Sequence, residues 1–391
     1  MQKAVSISRT AMAIPVIAML VGLAMPGPAN ATSSSAASSQ ASQQPSVWDQ
    51  LKTGKALAAG DGVAKNTAKA RQIFEGLMAS DDKAAAGAAS LALARLAQDD
   101  LKDPALAARA LERGIALGDP WCMITRAQTL ATGSAKEQKQ AADLYLRAAA
   151  GSQDAEVRKA AYSALGQLYL TPALLSGKLA LDYRQRAADL GDGWSLMAIG
   201  GIYQNGTGTP KSWSRARDAY QKALAVEDPQ VKGAAAYALA RLYALPAHSA
   251  PKRAFDYLQT GQQNGNVWAS LMLADAYLNG KGVKKSSDTA IRIYTGLRDG
   301  SDAAASKAAA FQLGKLYASG RLRNLKLAEE NYSHAADLGD VWSAYFLAQL
   351  YLTDMPGKAN RRKARDLLNS VASSDDPTAR SSAAALLKTI R

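Results

Sequence analysis

The sequence predicts an all-α protein: a right-handed α-solenoid of nine helix pairs, alternately short and long, closed by one further helix. Three observations predict it. An alanine recurs at Ala70, Ala107, Ala142, Ala180, Ala216, Ala254, Ala290, Ala328 and Ala364. Twelve residues after each stands Asp82, Asp119, Asp154, Asp192, Asp228, Asn266, Asp302, Asp340 or Asp376, with no gap across nine units. The units are spaced 35 to 38 residues apart, which suits helix-pair repeats and is too short for independent domains.

Each element follows from its residues. Asp and Asn are favoured N-caps because the side-chain oxygen accepts from free amides of the first turn, and Pro120, Pro229 and Pro377 stand at the first helical position after three of them. Each cap opens a helix A, which ends in an apolar phrase such as ALGQLY, AIGGIY, ALARLY, LADAYL, QLGKLY or LAQLYL. The tyrosines of these phrases are Tyr169, Tyr203, Tyr243, Tyr277, Tyr317 and Tyr351. A small residue two positions before the Leu-Tyr or equivalent pair lets a neighbouring helix come close. A turn bearing Gly or Pro follows, then helix B. On helix B an aromatic or Leu stands three or four residues after the repeat alanine: Phe74, Leu111, Tyr145, Tyr183, Tyr220, Tyr257, Tyr294 and Tyr332. Both spacings fall on one helical face and predict a packed seam. A lone helix from Asp376 to Arg391 ends the stack.

The intervals alternate. Cap to tyrosine is 15 residues from Asp154, Asp228 and Asp302 but 11 from Asp192, Asn266 and Asp340. Four residues is close to one helical turn, so every second helix A is about a turn longer without rotating its apolar face. Tyrosine to the next repeat alanine is 11 residues after a long helix and 13 after a short one, so the building block is a pair of units. Five of the six tryptophans mark the short units: Trp121, Trp194, Trp268 and Trp342 each follow the cap by two residues, and Trp48 follows Ser46 in the same phase. Trp213, in an inter-helix turn, stands outside the series.

Ahead of the repeats, Lys3 and Arg9 precede an apolar run from Ala11 to Met25 and a PGP-AN-A close. This is the three-part layout of a cleaved secretory signal peptide over residues 1–31, too short for a comfortable membrane span. No cysteine lies near the cleavage position, which argues against a lipid anchor. Residues 32–45, TSSSAASSQASQQP, have almost nothing to bury and read as a flexible linker before a single repeat domain over 46–391. The expected location is the periplasm. The net charge of +14 drops by two when the leader is removed, and it favours acidic partners: anionic polysaccharide, membrane headgroups or an acidic protein face. The export signal argues against nucleic acid. Cys122 is the one cysteine, so no intramolecular disulfide forms and the fold rests on packing.

The residues resemble the Sel1-like repeat, a relative of the tetratricopeptide repeat. AYSALGQLY (161–169), AYLNGKGV (276–283), LAAGDGV (57–63), YQNGTG (203–208), RQRAADLGD (184–192) and YSHAADLGD (332–340) carry the likeness. It covers nearly everything after residue 46 and implies architecture rather than chemistry. Within that family the layout is also similar to the periplasmic repeat scaffolds of alginate and related exopolysaccharide export machines, although those are lipoproteins.

Candidate contacts fall in two groups. Trp121, Trp194, Trp268 and Trp342 could stack on sugar rings or anchor a partner. Against that, Trp342 shares a face with Tyr345, Phe346 and Gln349, Trp268 with Leu271 and Met272, and Trp194 with Met197, so packing is the favoured expectation. Basic groups in or beside the A-to-B turns are Lys281, Lys284 and Lys285, then Arg321, Arg323 and Lys326, then Lys358, Arg361, Arg362 and Lys363. Stacking would align them along one edge, as an anion-binding stripe or as a solvated rim. The G-x-G phrases lack the full phosphate-loop pattern and read as turns. Asp189 with Asp192, and Asp337 with Asp340, are explained at least in part by capping. His248, His334 and Cys122 lie in three different units, without the local spacing of a metal site, and no cofactor is expected. The function expected is a non-enzymatic periplasmic scaffold for envelope proteins, such as an outer-membrane porin or polysaccharide-modifying enzymes in exopolysaccharide export. The alternative is direct binding of anionic polysaccharide by a Trp edge and basic rim.

Overall fold

A computed structural model describes residues 45–390. The signal peptide expected at 1–31, and the linker expected at 32–45 apart from Pro45, lie outside the described residues. Those residues form α-helices and no strand. The first four pairs are α1 Val47–Ala59 with α2 Thr67–Leu77, α3 Lys83–Asp99 with α4 Pro104–Ala116, α5 Pro120–Ala131 with α6 Ala135–Gly151, and α7 Ala155–Leu168 with α8 Gly177–Asp189. Next come α9 Gly193–Asn205 with α10 Trp213–Leu224, α11 Pro229–Tyr243 with α12 Pro251–Gln263, and α13 Val267–Asn279 with α14 Ser287–Arg298. The last pairs are α15 Ala303–Ala318 with α16 Leu325–Asp337 and α17 Val341–Thr353 with α18 Lys358–Ala372, and α19 Pro377–Leu387 closes the stack. This is the helix-pair solenoid that the repeat register predicts.

The register works through capping. Every Asp or Asn of the series is the N-cap of a helix A or of α19, its side chain accepting from first-turn amides; Asp82, for example, takes those of Ala84 and Ala85 at 2.9 and 3.0 Å. The repeat alanine has an equally local role. In seven of the nine units its amide makes the first bond of helix B, as Ala180 N–H donates to the Ser176 carbonyl and Ala290 N–H to that of Ser286, whereas α6 and α18 begin further upstream of Ala142 and Ala364. Most of these alanines are fully buried, because the neighbouring helix leaves no room for a larger side chain.

The alternation in helix A is present, reaching a full turn in α3 and less in α7 and α11. Long members α3, α7, α11 and α15 have 17, 14, 15 and 16 residues. Short members have 12 or 13. In α7 the added turn winds down at its end, where Leu170 N–H reaches the Gln167 carbonyl and Thr171 N–H that of Leu168. The two loop lengths share one closure. The carbonyl of the tyrosine ending helix A accepts from the N-cap amide of helix B, seven residues on for Tyr169 and Tyr243 (Ser176, Ala250) and nine on for Tyr203 and Tyr277 (Ser212, Ser286).

The two extra residues of the short units hold the G-x-G phrases, which are turns. Gly280 caps α13 at φ 71°, in the left-handed region open to glycine. A Cβ on Gly282 would come within 2.1 Å of the Pro251 carbonyl oxygen, so this residue lets the turn lie against the start of the preceding helix B.

Packing is layered. Each helix lies against the next in chain order, and successive helices A approach one another more closely than successive helices B do, although side chains bridge helices B as well, as where Arg298 Nη1–H on α14 donates to Asn331 Oδ1 on α16 at 3.0 Å. Helices A therefore form the inner layer and helices B the splayed outer one. The seam on helix B buries Phe74, Leu111, Tyr145, Tyr220, Tyr294 and Tyr332. Tyr183 and Tyr257 depart from the expected seam. They are half-buried and stack instead on Tyr169 and Tyr243, with centroids 5.7 and 5.8 Å apart. Positions three and four after the alanine differ by about 100° around the helix, and here the fourth position, Arg184 or Leu258, fills the seam.

Candidate functional site

The tryptophan series lies at one edge of the stack and divides in two. All five stand at the second residue of a short helix A. Trp121 is half-buried against the core around α3 to α6. Trp342 is half-buried beside Tyr345 and Phe346, at 5.7 and 6.1 Å between ring centroids, and its Nε1–H donates to Asp376 Oδ2 at 3.1 Å. Packing thus accounts for these two. Trp48, Trp194 and Trp268 are 49, 39 and 37% exposed, contrary to the packing expectation. A side chain in the first turn leans back past the helix end, and it is held only where a neighbour reaches it, as Asp376 does for Trp342.

The basic groups lie at the other edge. Lys284 and Lys285 are exposed in the turn between α13 and α14, Arg321 and Arg323 in the turn after α15, and Arg361 and Arg362 in the first turns of α18. Consecutive turns touch: Arg323 Nη2 is 2.7 Å from Asp354 Oδ1. That carboxyl is held below the ordinary range by the Thr353 hydroxyl first and by Arg323 second. Lys363 lies 3.9 Å from Glu329 and 5.2 Å from the Tyr351 ring centroid. Trp268 and Lys281 bracket α13, about 20 Å apart at 1.5 Å per residue. The Trp edge and the basic rim are therefore separate surfaces.

The two histidines are structural where they stand. The His248 ring stacks on Trp213 with centroids 4.4 Å apart. His334 Nε2 lies 2.9 Å from Ser306 Oγ, a pairing that invites comparison with a nucleophile and its base. The hydroxyl proton, however, goes to the Arg298 carbonyl, 2.5 Å from the same Oγ. A carbonyl can only accept, so His334 Nε2 must donate to Ser306, the reverse of what activation requires. Among the described residues no three His, Cys, Asp or Glu side chains gather as a metal site would need.

One polar feature escaped the sequence reading. Arg184, on α8, is 8% exposed and threads between α7 and α9, giving Nη1–H to Ser163 Oγ at 2.8 Å and Nη2–H to Gln167 Oε1 at 2.9 Å. Its Nε has no partner. Burial pushes the guanidinium below its ordinary value, and the Asp192 carboxylate opposes the shift. Lining up the fourth residue after each repeat alanine would have exposed it, because Tyr220, Tyr294 and Tyr332 occupy that column elsewhere.

Comparison with known proteins agrees with this architecture. No protein-family model matches the chain, and no curated protein does either. Among solved structures, a Sel1 repeat protein from Oxalobacter formigenes superposes with a TM-score of 0.61 at 18% identity, over 94% of this chain and 99% of that one. The fold is that of the Sel1-like repeat. A protective antigen of uropathogenic Escherichia coli with the SLR fold also aligns, at 16% identity and a TM-score of 0.41, over 88% of this chain and 92% of that one. Among the described residues no helix is long and apolar enough to cross a membrane.

Proposed function

We propose that the protein is a periplasmic protein–protein interaction scaffold, holding envelope proteins of a machine that makes or exports exopolysaccharide. The observation that carries the scaffold reading is the repeat itself: one helix pair after another offers new side chains at the same two edges, while each pair is stabilised only by its neighbours. Trp194 and Trp268 stand at the same position two units apart, each more than a third exposed, in the manner of anchors for a partner that spans several units. The leader and the basic charge support the periplasmic and polysaccharide parts. Photo-crosslinkers placed at Trp194 and Trp268 in the native host should capture envelope proteins, and deletion should reduce polysaccharide secretion. No adduct and unchanged secretion would reject the reading.

A second reading is favoured by the same exposed indoles: Trp194 and Trp268 stack directly on an anionic glycan. Its signature is a shift in tryptophan emission on titration with alginate, lost in the Trp194→Ala/Trp268→Ala variant. An emission spectrum that stays constant at low salt would exclude it.

A further inference from the structure

Outside both edges, the outer layer contains a trough that no motif marks. Helices α5 and α6 line it, with Ile115 of α4 at one side, and its volume is about 580 Å³. Ile115, Leu130 and Leu144 supply apolar surface, and Arg126, Lys136 and Lys139 stand around it. The carboxylates nearby are already engaged. Glu137 faces Arg126 but is tied into the Ser134 capping box, its Oε2 2.7 Å from both the amide and the hydroxyl of Ser134. Asp143, in the lining, pairs with Arg147 at 3.7 Å. The three lining cations make no ion pair among the described residues.

We infer that this trough docks the apolar face of an acidic amphipathic helix from a partner protein, a reading that rests on the scaffold function above. Its shape favours a helix. The lining runs from Ile115 on α4 across Arg126 and Leu130 on α5 to Lys136, Lys139 and Leu144 on α6, so it is open to solvent rather than closed over. An open apolar hollow bordered by charge suits the i, i+3, i+4, i+7 anchors of an amphipathic helix, whereas an acyl chain gains most from an enclosed cavity. The charge gives the sign: three cations bordering an apolar floor select a helix whose Leu stripe is flanked by Glu. The similar trough between α12 and α14, about 520 Å³, has Arg292 as its one cation among neutral liners such as Gln259, Gln262 and Thr289, and it serves as the control.

The test uses fluorescent synthetic helices of about 18 residues with Leu at anchor spacing, flanked by Glu in one peptide and by Lys in another, with anisotropy as the readout. The Glu peptide should bind, more weakly as salt rises, and the Lys peptide should not. Lys136→Glu/Lys139→Glu, which alters exposed side chains only, should weaken binding at least roughly tenfold, and Arg126→Glu should add to it. Arg292→Glu in the control trough should leave binding unchanged. The inference is overturned if the two peptides bind alike, if neither binds, if the double variant binds as the parent does, or if anionic phosphatidylglycerol vesicles compete the peptide off. Such a failure with envelope adducts still formed at Trp194 would reject the trough and leave the scaffold; loss of both would reject both.

Discussion

Gly200 of α9 lies directly beneath the ring of Tyr220 on α10, so closely that a Cβ there would fall 2.3 Å from Cε1. The Tyr220 hydroxyl donates to Gln204 Oε1 at 2.8 Å across the same contact. Gly200→Ala should therefore cost about 1–2 kcal/mol, since overpacking of about 2–3 kcal/mol outweighs the gain in helix propensity of about 1 kcal/mol. Gly296 on α14 faces open space, with nothing within 4 Å of the point a Cβ would occupy, and Gly296→Ala should stabilise by about 0.5–1 kcal/mol. Thermal unfolding of the pair should move Tm in opposite directions.

Arg184 occupies over Gly166 the place that Tyr220 takes over Gly200 and Tyr332 over Gly314. Arg184→Ala should cost about 3 kcal/mol, by opening a cavity and stranding the Ser163 and Gln167 groups. Arg184→Tyr should stay within about 1 kcal/mol of the parent, because burying an aromatic avoids the desolvation cost of a guanidinium. If the Tyr variant unfolded as early as the Ala variant in urea, the charge itself would be required.

Asp376 joins the last pair to the capping helix: its Oδ1 accepts from the amides of Thr378 and Ala379 at 2.8 and 2.9 Å, and Oδ2 from Trp342 at 3.1 Å. The Ala379 amide is the largest cause of its depressed carboxyl value. A depressed folded value means that the stabilisation is present above the unfolded carboxylate range and is lost as pH falls through the folded value. Protection of α19 amides against hydrogen exchange, relative to the unfolded-chain rate at each pH, should therefore drop below about pH 4. In Asp376→Ala that pH step should vanish and protection should already be low at neutral pH.

The elements legible in sequence are those set by local chemistry. Asp228 caps α11 because the next amides are unpaired, whatever packs on top. Ala216 is small because α10 crosses its partner there in every unit. Features that depend on a neighbour were not legible. Trp342 and Trp268 share a motif, yet only Trp342 has a cap reaching back to it. Arg184 and Tyr183 are adjacent, and only the packed structure shows which one faces the seam. Lys136, Lys139 and Arg126 form no run, so nothing in the sequence joins them.

The division of the tryptophans has an optical consequence. Acrylamide should quench the emission of Trp48, Trp194 and Trp268 far more than that of Trp342, whose indole is walled by Tyr345 and Phe346. A Trp48→Phe/Trp194→Phe/Trp268→Phe variant should lose most of the quenchable signal while Tm changes little. Equal quenching of parent and variant would contradict the exposures.

Cys122 gives the chain a built-in reporter of opening. It is fully buried on α5, and a Cβ on Gly114 of α4 would come within 2.2 Å of its Sγ. Burial is the largest cause raising its thiol value, and the Asp119 carboxylate adds to it. A thiol that stays protonated and covered reacts only when α4 and α5 separate. Iodoacetamide at pH 9, where a free thiol is largely ionised, should label the native chain slowly and the urea-unfolded chain at once. Gly114→Ala pushes a methyl into the thiol's place, so it should speed native labelling at least roughly tenfold by making that separation easier. Labelling of the parent at a free-thiol rate would mean that α4 and α5 do not stay packed in solution.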